Sequence, residues 1–342
     1  MNIGEIAKRS GVSRSTVSYA LSGKRPVAEA TRRRIQTVID ELGYRPNAAA
    51  RALKEGRTRT IGLVIPPAAQ RLTDVQLGFV ASVVDAAARA DLDVLLSPSG
   101  GEHDRSFERV VTGARVDGVV LMEIRLEDAR VTRLTEVGLP FVGIGHTSRP
   151  EEMTWVDIDY ETLIARCVGH LADLGHRHIA LVNRSAELVA AGYGPGHRAQ
   201  LGFSRAVAER GLQGVQVCCA DDAQAGRACV EKLLVTHPEL TAIATLNEAA
   251  MPGMHRALAD AHLAVPGDFS LTGVAARHWA ENLHPPLTAA DILADELGAQ
   301  AVELLIQRIA DPGLPHRQLL TAPPISLRES TGPARPRVGP AA

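Results

Sequence analysis

The chain has 342 residues and a formal net charge of −2. That near-zero sum hides an asymmetry: residues 1–60 carry 13 Lys/Arg against 5 Asp/Glu, a net of +8, and residues 61–342 carry 24 against 34, a net of −10. A small basic head on a large acidic body points to nucleic acid at one end and a different task at the other. The length predicts two or three folding units, and 45% hydrophobic content excludes wholesale disorder.

Taken in chain order, three short helical patterns come first. Asn2 and Glu5 have the spacing of a capping box, which predicts a helix from Ile3 to Ser10 that buries Ile3, Ile6 and Ala7. Gly11 stops it and Val12 fills the turn. Ser13 is a good N-cap for a second helix, Arg14 to Leu21, with Val17, Ala20 and Leu21 inward. After a loop at Ser22-Gly23-Lys24-Arg25-Pro26, a third helix runs from Glu29 to Leu42, with Ile35, Val38, Ile39 and Leu42 on one face and Gly43 at its end. Helix, tight glycine turn, helix and support helix make a helix-turn-helix unit. The second helix is the reader. Its polar face offers Arg14, Ser15, Thr16, Ser18 and Tyr19 to base edges, next to the capping Ser13. Lys8, Arg9, Lys24, Arg25 and the Arg32-Arg33-Arg34 run are placed to meet phosphates, although a solvated helix face explains that run equally well.

Pro46 then breaks the chain and Asn47 caps a helix over Ala48–Glu55, which Gly56 stops. So short a helix is marginal in water. Its one large apolar residue is Leu53, so a partner must stabilise it, as in an order–disorder switch.

Here the sequence resembles the LacI family of bacterial transcription regulators. The matching residues are Ile6-Ala7, Gly11-Val12-Ser13, Ser15-Thr16-Val17-Ser18, Thr31-Arg32, Glu41 through Asn47, Ala50-Arg51, Leu53 and Thr60 through Val64. The resemblance implies that the helix after Asn47 is a hinge helix. It implies that two such helices pair in the minor groove of a pseudo-palindromic operator, where Leu53 wedges between base pairs and Lys54 follows it. It places Arg14, Ser15 and Tyr19 at base-reading positions and Asn47, Ala50, Leu53 and Lys54 in the hinge contact. Tyr19 stands where many members carry arginine. Ala28 stands where the family usually has a Ser or Thr cap, which costs about 1 kcal/mol of helix stability.

From residue 60 the chain alternates apolar runs with amphipathic stretches. The runs are Thr60–Ile65, Asp93–Ser97, Gly118–Met122, Phe141–Ile144, Ile179–Asn183, Gln216–Ala220, Ala242–Leu246 and Ser270–Val274. Helices include Asp74–Ala90, Glu161–Leu174, Arg198–Arg210, Ala223–Val235, Ala249–Ala261 and Ala294–Ile309. Strand–helix repetition with near-continuous apolar strands predicts parallel sheets covered on both faces, in two lobes. The resemblance continues through Val116-Asp117-Gly118, Leu174 to Ile179, Gly202-Phe203, Val265-Pro266, Pro286-Leu287-Thr288 and Leu327 to Thr331. It implies a periplasmic-binding-protein-like body of two Rossmann-like lobes, a small-molecule effector in the cleft between them, and a homodimer. The expected organisation is an all-α helix-turn-helix head over 1–45, a hinge helix and linker over 46–59, the two-lobed α/β body over 60–331, and a disordered tail over 332–342.

Several family positions are altered in the cleft. After the first strand stand Ala69-Gln70-Arg71-Leu72, after the fourth Gly145-His146, and Ala275-Ala276 replace a pair of acids. Ala199 takes the place of the usual effector-binding arginine, with Arg198 one place earlier. Most polar groups that hold sugar hydroxyls are missing or shifted, and a buried hydroxyl needs partners, so a neutral sugar is not the expected effector. The candidate effector residues are His146, Arg198, Asn247, His278, Trp279 and Asp291. Arg198 is placed at a helix start, where an anion is favoured. A solvated Arg198 in a cleft that binds little is the alternative, which leaves a DNA-binding regulator without ligand sensing. A small-molecule binding protein with a degenerate head is a further one.

Other signals lead nowhere. His170, His176 and His178 lack metal-ligand spacing, so no metal is expected. The Gly192–Gly196 segment has a GxGxG look, but Pro195 interrupts it and no P-loop occurs, so no cofactor is expected. No nucleophile–base set suggests an enzyme. No apolar run reaches the roughly 18–20 residues of a membrane helix. Met1-Asn2-Ile3-Gly4-Glu5 has no signal-peptide pattern, and Cys167, Cys218, Cys219 and Cys229 form no CxxC pair. Reduced thiols in a cytoplasmic chain are expected.

Overall fold

The computed structural model describes residues 3–22, 25–44, 52, 56–66, 72–99 and 105–335. The chain divides into two units, Met1–Thr58 and Arg59–Ala342.

In the first unit, α1 (Ile3–Arg9), α2 (Arg14–Ser22) and α3 (Glu29–Leu42) enclose a core of Ile6, Ala7, Val17, Ile35, Val38 and Ile39. The third helix ends where the sequence predicts, while α1 stops one residue earlier and α2 runs one residue further. Gly43 takes a left-handed φ of 58° and its N–H bonds back to Asp40. Gly11 does the same work at the tight turn, with φ 61°. Ala28 makes no side-chain cap. The predicted Asn2 cap and the hinge helix, with Asn47, Ala50, Leu53 and Lys54, lie outside the described residues, as does Lys24.

The second unit holds two six-stranded sheets. The first has the order β11-β5-β4-β3-β1-β2, all parallel, from β1 (Thr60–Ile65), β2 (Asp93–Pro98), β3 (Gly118–Leu121), β4 (Phe141–Ile144), β5 (Trp155–Ile158) and β11 (Gln318–Thr321). The second has the order β12-β10-β9-β8-β6-β7, from β6 (His178–Asn183), β7 (Gln213–Cys218), β8 (Ala242–Thr245), β9 (Ser270–Ala276), β10 (Thr288–Ile292) and the antiparallel β12 (Ile325–Ser326). Because β11 follows β10 yet joins the first sheet, the chain crosses between lobes repeatedly. Helices α4 (Asp74–Arg89), α5 (Arg105–Thr112) and α6 (Ala129–Val137) belong to lobe 1. Lobe 2 contains α7 (Tyr160–Asp173), α8 (Ala186–Ala190), α9 (Gly194–Arg210), α10 (Ala223–Thr236), α11 (Met251–Asp260) and α12 (Arg277–Asn282). The last helix, α13 (Ala294–Ala310), returns to lobe 1 and packs against α4, where Ser82 Oγ donates to Asp295 O at 2.5 Å. All four cysteines are free thiols, and burial pushes Cys167 up to about 11.

Four strands are absent from the predicted runs, β5, β10, β11 and β12, and of these β5 and β10 each contain a buried aspartate, Asp157 and Asp291, which interrupts the apolar run. β7 begins three positions earlier than predicted, because an edge strand with half-exposed alternation does not read as an apolar run. The tail needs a correction as well. Residues 332–335, predicted as disordered, are packed on lobe 2. Gly332 N donates to Ser270 Oγ at 3.0 Å, Ala334 N to Leu174 O at 2.9 Å, and Arg335 lies 3.5 Å from Asp268. The remainder of the predicted tail lies outside the described residues.

His176 locks this segment from below. Its Nδ1 sits 2.8 Å from Thr241 Oγ1, and its Nε2 lies 3.0 Å from Ser270 Oγ and 3.1 Å from Gly332 O. Burial lowers its pKa below the ordinary 6.5, and it does the same for His170, His255 and His316. A histidine held neutral in the fold contributes stability that is present above its unfolded value and lost as pH falls through the lowered folded value. The denaturation midpoint of the body is therefore expected to fall between about pH 7 and about pH 5, and His176→Gln to remove part of that fall. A pH profile identical in His176→Gln would contradict this role.

Candidate functional site

In the head, Ser13 Oγ accepts the N–H of Thr16 at 3.1 Å and lies 2.8 Å from the hydroxyls of Ser15 and Thr16. The serine therefore fixes the start of α2. Arg14 and Ser15 are exposed there, and Thr16, Ser18 and Tyr19 are partly so. The Arg25 guanidinium stacks over the Tyr19 ring at 5.2 Å, so it orders that side chain by a cation–π contact. This presents the polar face of a reading helix in the form a major groove requires. In the Arg32–Arg34 run, Arg33 pairs with Glu29 at 3.1 Å, one turn back on α3.

In the body, parallel strands bring their carboxyl ends to the crevice between the lobes. Glu123 lies just past β3, in a left-handed conformation of φ 55° that a glutamate rarely adopts. Gln76 is the third residue of α4. Its carbonyl closes a capping box with Thr73 (Thr73 N to Gln76 Oε1, 2.8 Å), and its amide donates to Glu123 Oε1 at 2.7 Å. From lobe 2, Arg184 follows β6 directly. It holds Asp221 through two hydrogen bonds of 2.7 and 2.9 Å and lies 5.5 Å over the Tyr193 ring. Glu248 follows β8. Its Oε1 accepts Val75 N of lobe 1 at 3.1 Å, and its Oε2 accepts Ala276 N of lobe 2 at 3.3 Å. Burial raises the Glu248 carboxyl above its ordinary value against those backbone donors. Tyr160 and Tyr193 are raised too, first by burial and then by nearby carboxylates.

These groups close the lobes onto each other. Tyr193 Oη donates to Glu123 at 3.4 Å, Leu126 N to Gly192 O at 2.8 Å, and Arg198 Nη2 to His146 O at 2.9 Å. Among the described residues, two narrow cavities of about 30 and 40 Å³ lie between them, sharing Phe79, Glu123, Tyr160 and Tyr193.

The structure brings together two of the six candidate effector residues, His146 and Arg198. Arg198 Nη1 lies 3.5 Å from Asp157, and His146 Nδ1 lies 2.8 Å from the same carboxylate, although out of line for a hydrogen bond. The His146 ring stacks on Trp155 at 4.2 Å. Arg198 is not at a helix start, because Pro195 begins α9 upstream instead of ending a loop. The other four residues are corrections. Asn247 is fully buried, donating to Cys219 O at 2.9 Å and accepting Ala250 N at 3.2 Å, so its neighbour Glu248 is the one that faces the cleft. Asp291 is bound by Arg328 at 2.7 and 2.9 Å and by Ser326 at 2.7 Å, on the opposite side of β10 from the cleft-lining Ile292. Trp279 packs on the lobe 2 core. His278 is 71% exposed, with Asp74 3.9 Å from its ring.

Sequence reasoning missed Gln76, Glu123, Arg184 and Glu248. The rule that ligands meet the carboxyl ends of parallel strands selects the last three, and the Thr73–Gln76 capping-box spacing selects the first.

A helix-turn-helix head joined to a two-lobed α/β body with a polar interlobe cleft defines a ligand-responsive DNA-binding regulator. Residues 2–47 match the family described as "Bacterial regulatory proteins, lacI family", and residues 168–331 match a periplasmic binding protein-like domain. The HTH-type transcriptional regulator AglR of Rhizobium meliloti (strain 1021) is 32% identical over 98% of this chain and 96% of that protein. The HTH-type transcriptional regulator CelR of Thermobifida fusca is 29% identical over 95% and 96%. A CelR–cellobiose complex superposes with a TM-score of 0.73 at 26% identity, over 96% of this chain and 99% of that one. The Lac repressor dimer bound to operator and an anti-inducer gives a TM-score of 0.85 at 22% identity, over 97% and 99%. The chain belongs to the LacI family and is a DNA-binding transcriptional regulator.

The bond from Val75 to Glu248 ties lobe to lobe. Glu248→Ala is expected to speed amide hydrogen exchange at Val75 by about tenfold, equivalent to roughly 1.4 kcal/mol of lost protection. Unchanged exchange would show that this bond does not hold the lobes together.

Proposed function

We propose that this regulator works as a cytoplasmic homodimeric repressor on a pseudo-palindromic operator, under the control of a carbohydrate that enters the interlobe cleft, and that it has no catalytic role. One observation carries the reading: a capped reading helix stands in the same chain as a cleft whose polar groups come from both lobes. The doubt over a neutral sugar rested on polar groups absent from motif positions. Gln76, Glu123, Arg184 and Glu248 supply donors and acceptors from other positions. Solved relatives in this fold carry cellobiose or ribose, which supports a sugar here.

Dimerisation is supported by an apolar surface on lobe 1. Leu77 and Val84 of α4 and Leu96 of the edge strand β2 are each more than 40% exposed. Among the described residues no helix is long and apolar enough to cross a membrane. In this reading the hinge helices pair on DNA with Leu53 as the wedge, and a ligand acts by biasing the lobe angle.

Binding to operator-bearing DNA is expected to weaken steeply between about 50 and 200 mM salt, and a log–log slope near zero would remove the DNA reading. Arg14→Ala is expected to cost about 1–3 kcal/mol at a single operator base pair and to relax specificity there. A uniform loss on every sequence would make Arg14 a phosphate contact instead.

A further inference from the structure

Two thiols of lobe 2 meet across the turn from β7 into α10. Cys219 follows β7 and is 5% exposed, and Cys229 lies on α10, partly exposed. The Cys219 S–H has two acceptors within reach, Ala220 O at 3.3 Å and the Cys229 sulfur. The surrounding backbone is well held. Cys219 N donates to Asn183 O at 3.2 Å, Cys219 O accepts from Asn247 Nδ2 at 2.9 Å, and Asp222 caps α10 through Ala225 N at 2.8 Å.

The two thiols are unequal. The hydrogen bond from Cys219, helped by the charge of Lys232, outweighs burial and holds Cys229 below the ordinary thiol range. The same contact, burial and the carboxylates of Asp221 and Asp222 push Cys219 up. Cys229 is therefore the nucleophile, and Cys219 keeps its proton. The other two cysteines lack this combination. Cys167 is buried and its thiol donates to Gly273 O at 3.6 Å. Cys218 is exposed, but desolvation and the charges of Glu187 and Cys229 raise it, and it turns to the opposite side of the chain from buried Cys219. A redox-responsive cysteine needs thiolate character, access and a resolving thiol beside it, and Cys229 has all of these.

We propose that Cys219 and Cys229 form a reversible disulfide when the protein meets a peroxide. The Cys229 thiolate attacks one peroxide oxygen and the O–O bond breaks. The peroxide is reduced to water or an alcohol, and Cys229 becomes a sulfenic acid. The Cys219 sulfur then attacks the Cys229 sulfur. The S–O bond breaks, and the departing hydroxide takes the Cys219 proton and leaves as water. A thiol reductant reverses the bond by exchange. The linkage ties the end of β7 to α10. Asp221 lies just past Cys219 and holds Arg184 at the cleft, so the disulfide clamps the turn that positions a cleft residue.

Hydrogen peroxide on the full chain, followed by alkylation of the remaining thiols and fragment-ion peptide mapping, tests the pair. The expected product is a Cys219–Cys229 linkage with Cys167 and Cys218 alkylated, and dithiothreitol is expected to restore all the thiols. The linkage is expected to survive Cys218→Ser. Cys219→Ser is expected to leave a sulfenic acid on Cys229 that dimedone captures, and Cys219→Ala makes the same test if serine is not accepted at the buried site. Oxidation is expected to slow amide hydrogen exchange over residues 219–222 by about tenfold in the parent chain and to leave it unchanged in Cys229→Ser. A linkage through Cys218, oxidation confined to Cys218, or no dimedone adduct on Cys229 in either Cys219 variant overturns the pair. A Cys219–Cys229 bond that leaves exchange unaltered overturns the clamp.

Discussion

The body depends on a carboxylate buried in the middle of a strand. Asp157 is 4% exposed, between Val156 and Ile158 in β5. An unpaired charge at such a site is costly, and the energy is recovered only by well-placed partners. Its neighbours are the Ile158 N–H at 2.7 Å, His146 of its own lobe and Arg198 of the other. One of the partners that make Asp157 tolerable therefore belongs to the other lobe. Separating the lobes takes away part of what neutralises that charge, so the state of the cleft and the electrostatics of the strand are one quantity.

The same aspartate shows where the sequence is hard to read. Its neighbours are apolar, yet a single acid was enough to hide β5, and Asp291 hid β10 in the same way. Runs without such an interruption, such as Thr60–Ile65 and Phe141–Ile144, read correctly to the residue. The head was more legible because its signals are local. Ser13, Gly11 and Gly43 act on residues a few places away, and their caps and left-handed turns follow from side-chain chemistry alone. The cleft is assembled from strand ends far apart in the chain. Asn247 looked functional and Glu248 did not, because nothing local reveals which of two adjacent polar side chains turns inward. The buried tail was missed for a related reason. Pro333 and small neighbours read as disorder, while the pairing of His176 with Gly332 joins positions 156 residues apart.

The contrast between the basic head and the acidic body acquires a structural meaning. Much of the body's acid is committed. Asp128 is bound by Arg130 at 2.7 Å, Asp221 by Arg184 and Asp291 by Arg328. Burial acts to raise the Asp128 carboxyl, but the hydrogen bonds and charge of Arg130 outweigh it and hold the group below its ordinary value. In the cleft, Glu123 and Glu248 accept hydrogen bonds from Gln76, Tyr193 and backbone N–H groups. Those are the interactions a ligand's hydroxyl groups can exchange for their own.

This exchange sets the scale of the switch. A net hydrogen bond contributes about 0.5–1.5 kcal/mol, so the few polar bonds between the lobes hold the closed arrangement by only a few kcal/mol. Moving a two-state equilibrium from 1:99 to 99:1 takes about 5.5 kcal/mol of differential affinity. A ligand that engages Glu123, Glu248 and Arg198 together touches both lobes at each of those bonds, and can reach that figure without deforming either sheet. A ligand confined to one lobe cannot, however tightly it binds, because it gains nothing from the angle between them.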